Sequence, residues 1–164
     1  MKKHNAGFTL VELIVVMAIL GVVSLTLGLS VSTSTSARAE KTAQSVNLLI
    51  AKCRAGCLSK SGDVHLTLSM SGDDLLCQYF ENGTLVSSDL LAMSGITVSY
   101  ATKKTDADPV TTSLALTPLT LSFDRSTGAQ TARSDGSYCT AITFAGGRTY
   151  AIMLVPSTGL HKLI

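Results

Sequence analysis

Four cysteines are the side chains of this sequence best suited to covalent or metal chemistry: Cys53, Cys57, Cys77 and Cys139. An even number of cysteines favours disulfides in an exported domain. Cys53 and Cys57 lie in a predicted helix, and Cys77 and Cys139 lie on predicted strands. We therefore expect each helix cysteine to bond a strand cysteine, at roughly 2–4 kcal/mol per bridge, and the pairing stays open. A zinc site built from all four thiolates is the sharper alternative, although two of the cysteines are isolated in sequence. Reduced, buried thiols acting as small apolar residues are a third possibility.

The remaining reactive residue types form no catalytic arrangement. His4, His65 and His161 are scattered, and none stands at a metal-binding or catalytic spacing from a Ser, Asp or Cys. Gly146-Gly147-Arg148 lacks the following helix that a phosphate-binding loop needs, so it predicts a hairpin turn. The sequence therefore predicts a protein that is not an enzyme, with no catalytic residues, no metal site and no cofactor.

A single carboxylate, Glu12, stands inside a long apolar run. No charged residue occurs from Leu13 to Ala37, and about 20 apolar residues are enough for a helix to cross a bilayer. A carboxylate in such a helix costs roughly 2.5–3.5 kcal/mol on insertion scales, so it indicates a function and needs a partner. The run is too long for the core of a cleaved secretory signal, and a plain uncleaved membrane anchor is the simplest interpretation.

The composition fits one membrane segment followed by one small domain. The chain has 164 residues and a formal net charge of +2. Two of its 13 basic residues, Lys2 and Lys3, precede Phe8, so the remaining 11 balance the 11 acidic residues. A chain with no net charge lacks the overall positive charge that attracts the phosphates of nucleic acid. A low charged fraction of 15% and many Ser, Thr and Gly residues favour an extracellular β-rich module.

The N-terminal residues carry a specific resemblance. Lys2-Lys3-His4-Asn5-Ala6-Gly7, followed by Phe8-Thr9-Leu10-Val11-Glu12, resembles the class III signal of type IV pilins and type II secretion pseudopilins. The resemblance implies that a prepilin peptidase cuts between Gly7 and Phe8 and methylates the new amine of Phe8. It also implies that Glu12 pairs with the N-terminal amine of a neighbouring subunit during assembly. Two charges desolvated together offset each other, and such a pair fixes one axial register between helices.

The chain is expected to divide into a leader (residues 1–7), a transmembrane or assembly helix (8–30), an amphipathic stalk helix (31–58) and a β-rich globular domain (63–164). The stalk is predicted from apolar residues that recur at alternating steps of four and three, which places them on one helical face. They are Ala39, Ala43, Val46, Ile50, Cys53 and Cys57. The fold class is therefore α+β, with the C-terminal half of a long helix packed on an antiparallel β-sheet domain in pilin-like fashion.

After Val64 the apolar period changes from 3.6 to 2 residues. Asn82-Gly83 is the strongest hairpin signal, and 103–118 is predicted to be an exposed loop. Later strands and Gly turns occur in an order that resembles the GspH/FimT group of minor pseudopilins. That order is carried by Leu121-Ser122-Phe123-Asp124 with Gly128, by Ala141-Ile142-Thr143-Phe144, and by Ile152-Met153-Leu154-Val155 with Thr158-Gly159.

The resemblance implies a structural subunit, a minor pilin or pseudopilin of a type IV pilus-like filament or of a type II secretion or competence machine. The implied partners are other subunits, the prepilin peptidase, an assembly platform protein with its ATPase, and membrane lipid. The precursor would be a single-pass inner-membrane protein with an extracytoplasmic C-terminal domain, and the basic leader would stay cytoplasmic. A major pilin, or a DNA-binding minor pilin of an uptake system, is the alternative.

Overall fold

The described part of the chain forms helix α1 and nine strands, which turns and loops connect. A computed structural model describes residues 10–105 and 107–164, with the side chains of all of these except 25–33. The elements are α1 (Leu10–Ser59), β1 (Val64–Ser71), β2 (Asp74–Glu81), β3 (Thr84–Leu91), β4 (Thr97–Lys103), β5 (Val110–Ser113), β6 (Leu119–Ser122), β7 (Tyr138–Gly146), β8 (Arg148–Val155) and β9 (Leu160–Leu163). The chain divides into two units, Met1–Ser34 and Thr35–Ile164. The α+β fold class is thus confirmed.

In the first unit, the described side chains of α1 are apolar except for those of Glu12, Ser24 and Ser34. Leu10, Met17 and Leu20 are examples, and each exposes more than half of its surface. The prediction that residues 8–30 cross a membrane is not confirmed, since no helix within the described residues is both long and apolar enough for a membrane span.

In the second unit, the predicted apolar stripe of α1 is the helical face that is buried. Its members Ala39, Ala43, Val46, Ile50 and Cys53 are fully inaccessible and Cys57 is 5% exposed. Gly56 allows a close approach to the sheet, because a Cβ there would overlap the Tyr79 hydroxyl. The helix ends at Ser59, whose Oγ donates to the Ala55 carbonyl oxygen at 2.8 Å. The predicted packing of the C-terminal half of the helix on the β-sheet domain is therefore confirmed.

The strands form two antiparallel sheets in the second unit. A four-stranded sheet has the order β3-β2-β1-β6, and a five-stranded sheet has the order β5-β4-β7-β8-β9. The predicted Asn82-Gly83 turn joins β2 to β3 with positive φ at both residues, as a type I′ hairpin requires. Buried residues of both sheets and of the α1 stripe belong to one hydrophobic cluster.

The expectation of a plain loop over 103–118 was wrong in one part. Val110–Ser113 forms β5, which pairs with β4 from Thr102↔Val110 to Ser99↔Ser113. This strand is short and mostly exposed, and it lies at the edge of its sheet. It therefore lacks the alternation of buried and exposed side chains by which a strand is recognised from sequence.

Candidate functional site

Glu12 lies in the first turn of α1, with an exposed side chain. Its apolar neighbours Leu10, Val11, Leu13 and Ile14 are each at least 56% exposed. A helix that is apolar all round is normally covered by lipid or by other helices. The arrangement is thus a carboxylate set in an apolar helical surface, which suits packing against a partner better than it suits catalysis.

The predicted cleavage and methylation residues, Gly7 and Phe8, lie outside the described residues, as do the rest of the leader and His4. Cleavage between Gly7 and Phe8, methylation of Phe8 and the pairing role of Glu12 stay predictions. The described segment places Glu12 in the first turn of α1, five residues after Gly7 in the sequence.

The two helix cysteines lie together against the four-stranded sheet. Cys53 Sγ donates to the Leu121 carbonyl oxygen at 3.7 Å, and Cys57 Sγ donates to the Val64 carbonyl oxygen at 3.2 Å. The two neighbouring thiols also interact: Cys53 lowers the pKa of Cys57 to about 7, and Cys57 raises the pKa of Cys53 far above its usual range. The helix therefore brings together two thiols that the sequence assigned to different bridges.

The two strand cysteines lie in different sheets, Cys77 in β2 and Cys139 in β7. Burial raises the pKa of each thiol to about 12. All four cysteines are buried free thiols in this structure, and the helix-to-strand disulfides stay a prediction. Residues four apart on a helix have Cβ atoms about 5–6 Å apart, farther than a disulfide needs. A bridge between Cys53 and Cys57 would thus require a shift of the helix backbone.

The described histidines have local partners. His65 stacks on Phe80 with ring centroids 4.9 Å apart, and its Nδ1 lies 2.9 Å from the Asp63 carboxylate. His161 Nδ1 lies 3.5 Å from the Gly159 carbonyl oxygen. No three His, Cys, Asp or Glu side chains of the described ranges stand together as a metal site.

Sequence reasoning missed a cation that joins α1 to two distant turns. Arg54 Nε donates to the Gly128 carbonyl oxygen at 3.2 Å, and Arg54 Nη2 donates to the Thr158 carbonyl oxygen at 3.0 Å. These acceptors are 74 and 104 residues away in sequence, and no local pattern marks such a contact. Arg54 thereby holds the 124–128 turn and the 156–159 turn beside the end of the helix.

The 124–128 turn is organised by one carboxylate. Asp124 Oδ1 accepts hydrogen bonds from the backbone N–H and the hydroxyl of both Ser126 and Thr127, at 2.6–3.0 Å. The hydroxyl donors are the main reason that the pKa of Asp124 falls to about 2. This turn is a structural support, because the carboxylate fixes the backbone and hydroxyl groups of its own turn.

Residues 2–28 match the family described as the prokaryotic N-terminal methylation motif. This motif is the class III prepilin signal, and it is consistent with a type IV pilin-like or pseudopilin chain processed by prepilin peptidase. The match covers the N-terminal segment, and it points to a structural subunit rather than to an enzyme. The narrower resemblance to the GspH/FimT group is not confirmed. The chain matches no curated protein and no solved structure.

Proposed function

We propose that this protein is a structural subunit, a minor pilin or pseudopilin, of a type IV pilus-like filament or of a related secretion or competence machine. The observation that carries the proposal is the N-terminal methylation motif over residues 2–28, with Glu12 five residues after Gly7. Such a motif is specific because a basic leader, a Gly, a Phe and a Glu occur in fixed register before a long apolar run.

The proposed route begins with a membrane-anchored precursor whose basic leader stays in the cytoplasm. A prepilin peptidase removes residues 1–7 and methylates Phe8. An assembly ATPase and a platform protein then extract the subunit from the lipid. Glu12 pairs with the amine of a neighbouring subunit, and the pair replaces the hydration that each charge loses in an apolar bundle.

The distribution of apolar surface supports this route. The stripe of α1 within the second unit is already buried against its own sheets, so it is not available to another subunit. In contrast, the described side chains of α1 before residue 25 are exposed in the single chain. Packing of these surfaces between subunits would remove apolar area from water or lipid. Each Å² removed from water stabilises the assembly by roughly 25 cal/mol.

Replacement of Gly7 tests the processing step. We expect the wild-type chain, recovered from cells with the peptidase, to begin at Phe8 and to carry one added methyl group. Gly7→Val should leave the precursor intact, because a branched side chain at the scissile position obstructs the peptidase. Gly21→Val is the matched control, since a Cβ at Gly21 meets no atom within 4 Å. A Gly7→Val chain that is still recovered with Phe8 as its first residue would contradict the cleavage proposal.

A further inference from the structure

A half-buried arginine, Arg133, is held in a fixed position by its own loop. Its backbone N–H donates to the Ser137 carbonyl oxygen at 2.9 Å, and its carbonyl oxygen accepts from the Gly136 N–H at 2.9 Å. The guanidinium lies over the Tyr100 ring, with Cζ 5.3 Å from the ring centroid. Because Tyr100 is only 2% exposed, the ring is a rigid platform for the cation.

The guanidinium of Arg133 has no hydrogen-bonded acceptor among the described residues. Its Nη1 is buried and lacks a partner there, and buried polar groups in proteins are nearly always paired. The Asp135 carboxylate interacts electrostatically with Arg133, but its Oδ1 accepts from the Ser137 N–H at 3.1 Å and from the Ser137 hydroxyl at 2.6 Å and makes no hydrogen bond to the guanidinium. The ring face of Tyr100 compensates the positive charge in part but supplies no acceptor for the N–H groups.

Arg133 lines a groove of about 320 Å³ beside β6. The other side chains of the groove are mainly hydroxyls, and none of those described is acidic: Pro118, Thr120, Ser122, Thr131, Ala132 and Ser134. One hydroxyl, that of Thr120, lies 3.4 Å from the Thr67 hydroxyl. The groove thus combines one preorganised planar cation with several rotatable O–H donors.

We propose that this groove binds a tetrahedral oxyanion, a phosphate or sulfate group that is either free or carried as a monoester. A guanidinium presents parallel N–H groups that match two oxygens of such an anion. A tetrahedral group keeps further oxygens for the surrounding hydroxyls, whereas a carboxylate would use both of its oxygens on the guanidinium. Since Tyr100 already fixes the cation, little additional ordering accompanies binding. The site is independent of the proposed role in a filament.

The test uses the full chain in a nonionic detergent and measures its thermal midpoint and binding heat during titration with inorganic phosphate at constant ionic strength. We expect a saturable rise of the midpoint with phosphate and with sulfate, and a weaker one with acetate. Arg133→Gln should weaken phosphate binding at least about tenfold, the equivalent of one lost charge-assisted hydrogen bond. Arg125→Gln, which alters an exposed arginine of the 124–128 turn, should bind as the wild type does.

Two further arms keep the proposal testable if Arg133→Gln folds poorly. A Thr131→Val and Ser134→Ala double variant keeps the Arg133–Tyr100 stack and should weaken phosphate binding several-fold. Glycerol phosphate distinguishes a site for phosphate monoesters from a site for the free ion. If glycerol phosphate binds as tightly as inorganic phosphate, the groove admits the esterified group. The proposal is overturned by unsaturable effects of phosphate and sulfate, by acetate binding as tightly as phosphate, or by full binding in the double variant.

Discussion

Glu12 is the residue on which the proposed assembly depends, and its substitution separates processing from incorporation. Glu12→Gln keeps the size and removes the charge, so the amine of a neighbouring subunit would lose its counterion in an apolar bundle. We expect normal cleavage and methylation but at least about tenfold less subunit in sheared filaments, the equivalent of about 1.4 kcal/mol. Glu12→Asp keeps the charge and should recover part of the incorporation. Equal amounts of wild type and Glu12→Gln in filaments would exclude the pairing role.

Asp124 gives the second unit a predictable sensitivity to acid. Its pKa is lowered to about 2 in the folded chain, first by the hydroxyls of Ser126 and Thr127, against about 3.9 for an unfolded aspartate. The folded state therefore binds fewer protons than the unfolded state, and the contribution of Asp124 is fully present above pH 4. It is lost as the pH falls from about 4 to about 2.

We expect Asp124→Asn to reduce the loss of thermal midpoint over that interval, measured by circular dichroism in steps of pH. Part of the fall in thermal midpoint with pH should remain in this variant, because the pKa values of Asp135 and Glu81 are also lowered by hydrogen bonds. Asp108→Asn, which alters an exposed carboxylate, should leave the profile of the wild type unchanged. A profile of Asp124→Asn that superimposes on the wild type would show that the turn does not contribute.

At the scale of elements, the meeting of two turns at Gly159 makes a sharp test of packing. Gly159 has a φ of +64°, and a Cβ there would overlap the Gly128 carbonyl oxygen that Arg54 also contacts. Gly72 has a similar φ of +62°, but a Cβ there would meet nothing within 4 Å. The two glycines thus share the conformational cost of a side chain and differ in the clash.

We expect Gly72→Ala to cost about 1–2 kcal/mol of unfolding free energy, which is the cost of the left-handed conformation alone. Gly159→Ala should cost distinctly more, because the turns at 124–128 and 156–159 must also separate. Urea denaturation of both variants in the same detergent gives the comparison. Equal losses in the two variants would mean that the second turn can move away without effect.

The elements that local pattern specifies are the ones that could be predicted from the sequence. The α1 stripe from Ala39 to Cys57 repeats with helical period, and Asn82-Gly83 requires positive φ, so both were predicted correctly. The division of the strands into two sheets was not predicted, because strand pairing is decided by contacts between distant residues. The same reason hides the contacts of Arg54 and the platform that Tyr100 provides for Arg133. A contact between two residues that are far apart in the sequence produces no local pattern from which it could be predicted.

At the scale of the whole molecule, the two units differ in how they satisfy their apolar surface. The second unit buries its helix stripe and both sheets in one cluster, so its folding needs no other chain. The described part of α1 in the first unit leaves its apolar side chains exposed, so we expect it to be covered by lipid, detergent or other subunits. Residues Thr35–Ile164 should therefore form a soluble, cooperatively folding fragment, whereas the full chain should require detergent.

Two substitutions on one helix test whether this cooperativity resides in the helix–sheet core. Ile50 is inaccessible and Leu48 is 69% exposed, so the same change to Ala removes apolar contacts at only one of them. In the Thr35–Ile164 fragment we expect Ile50→Ala to lose about 2–5 kcal/mol of unfolding free energy and Leu48→Ala to stay within about 0.5 kcal/mol of the wild type. Urea denaturation followed by circular dichroism measures both. A broad, noncooperative transition of the wild-type fragment, or equal losses in the two variants, would show that Thr35–Ile164 does not fold as a unit around the α1 stripe.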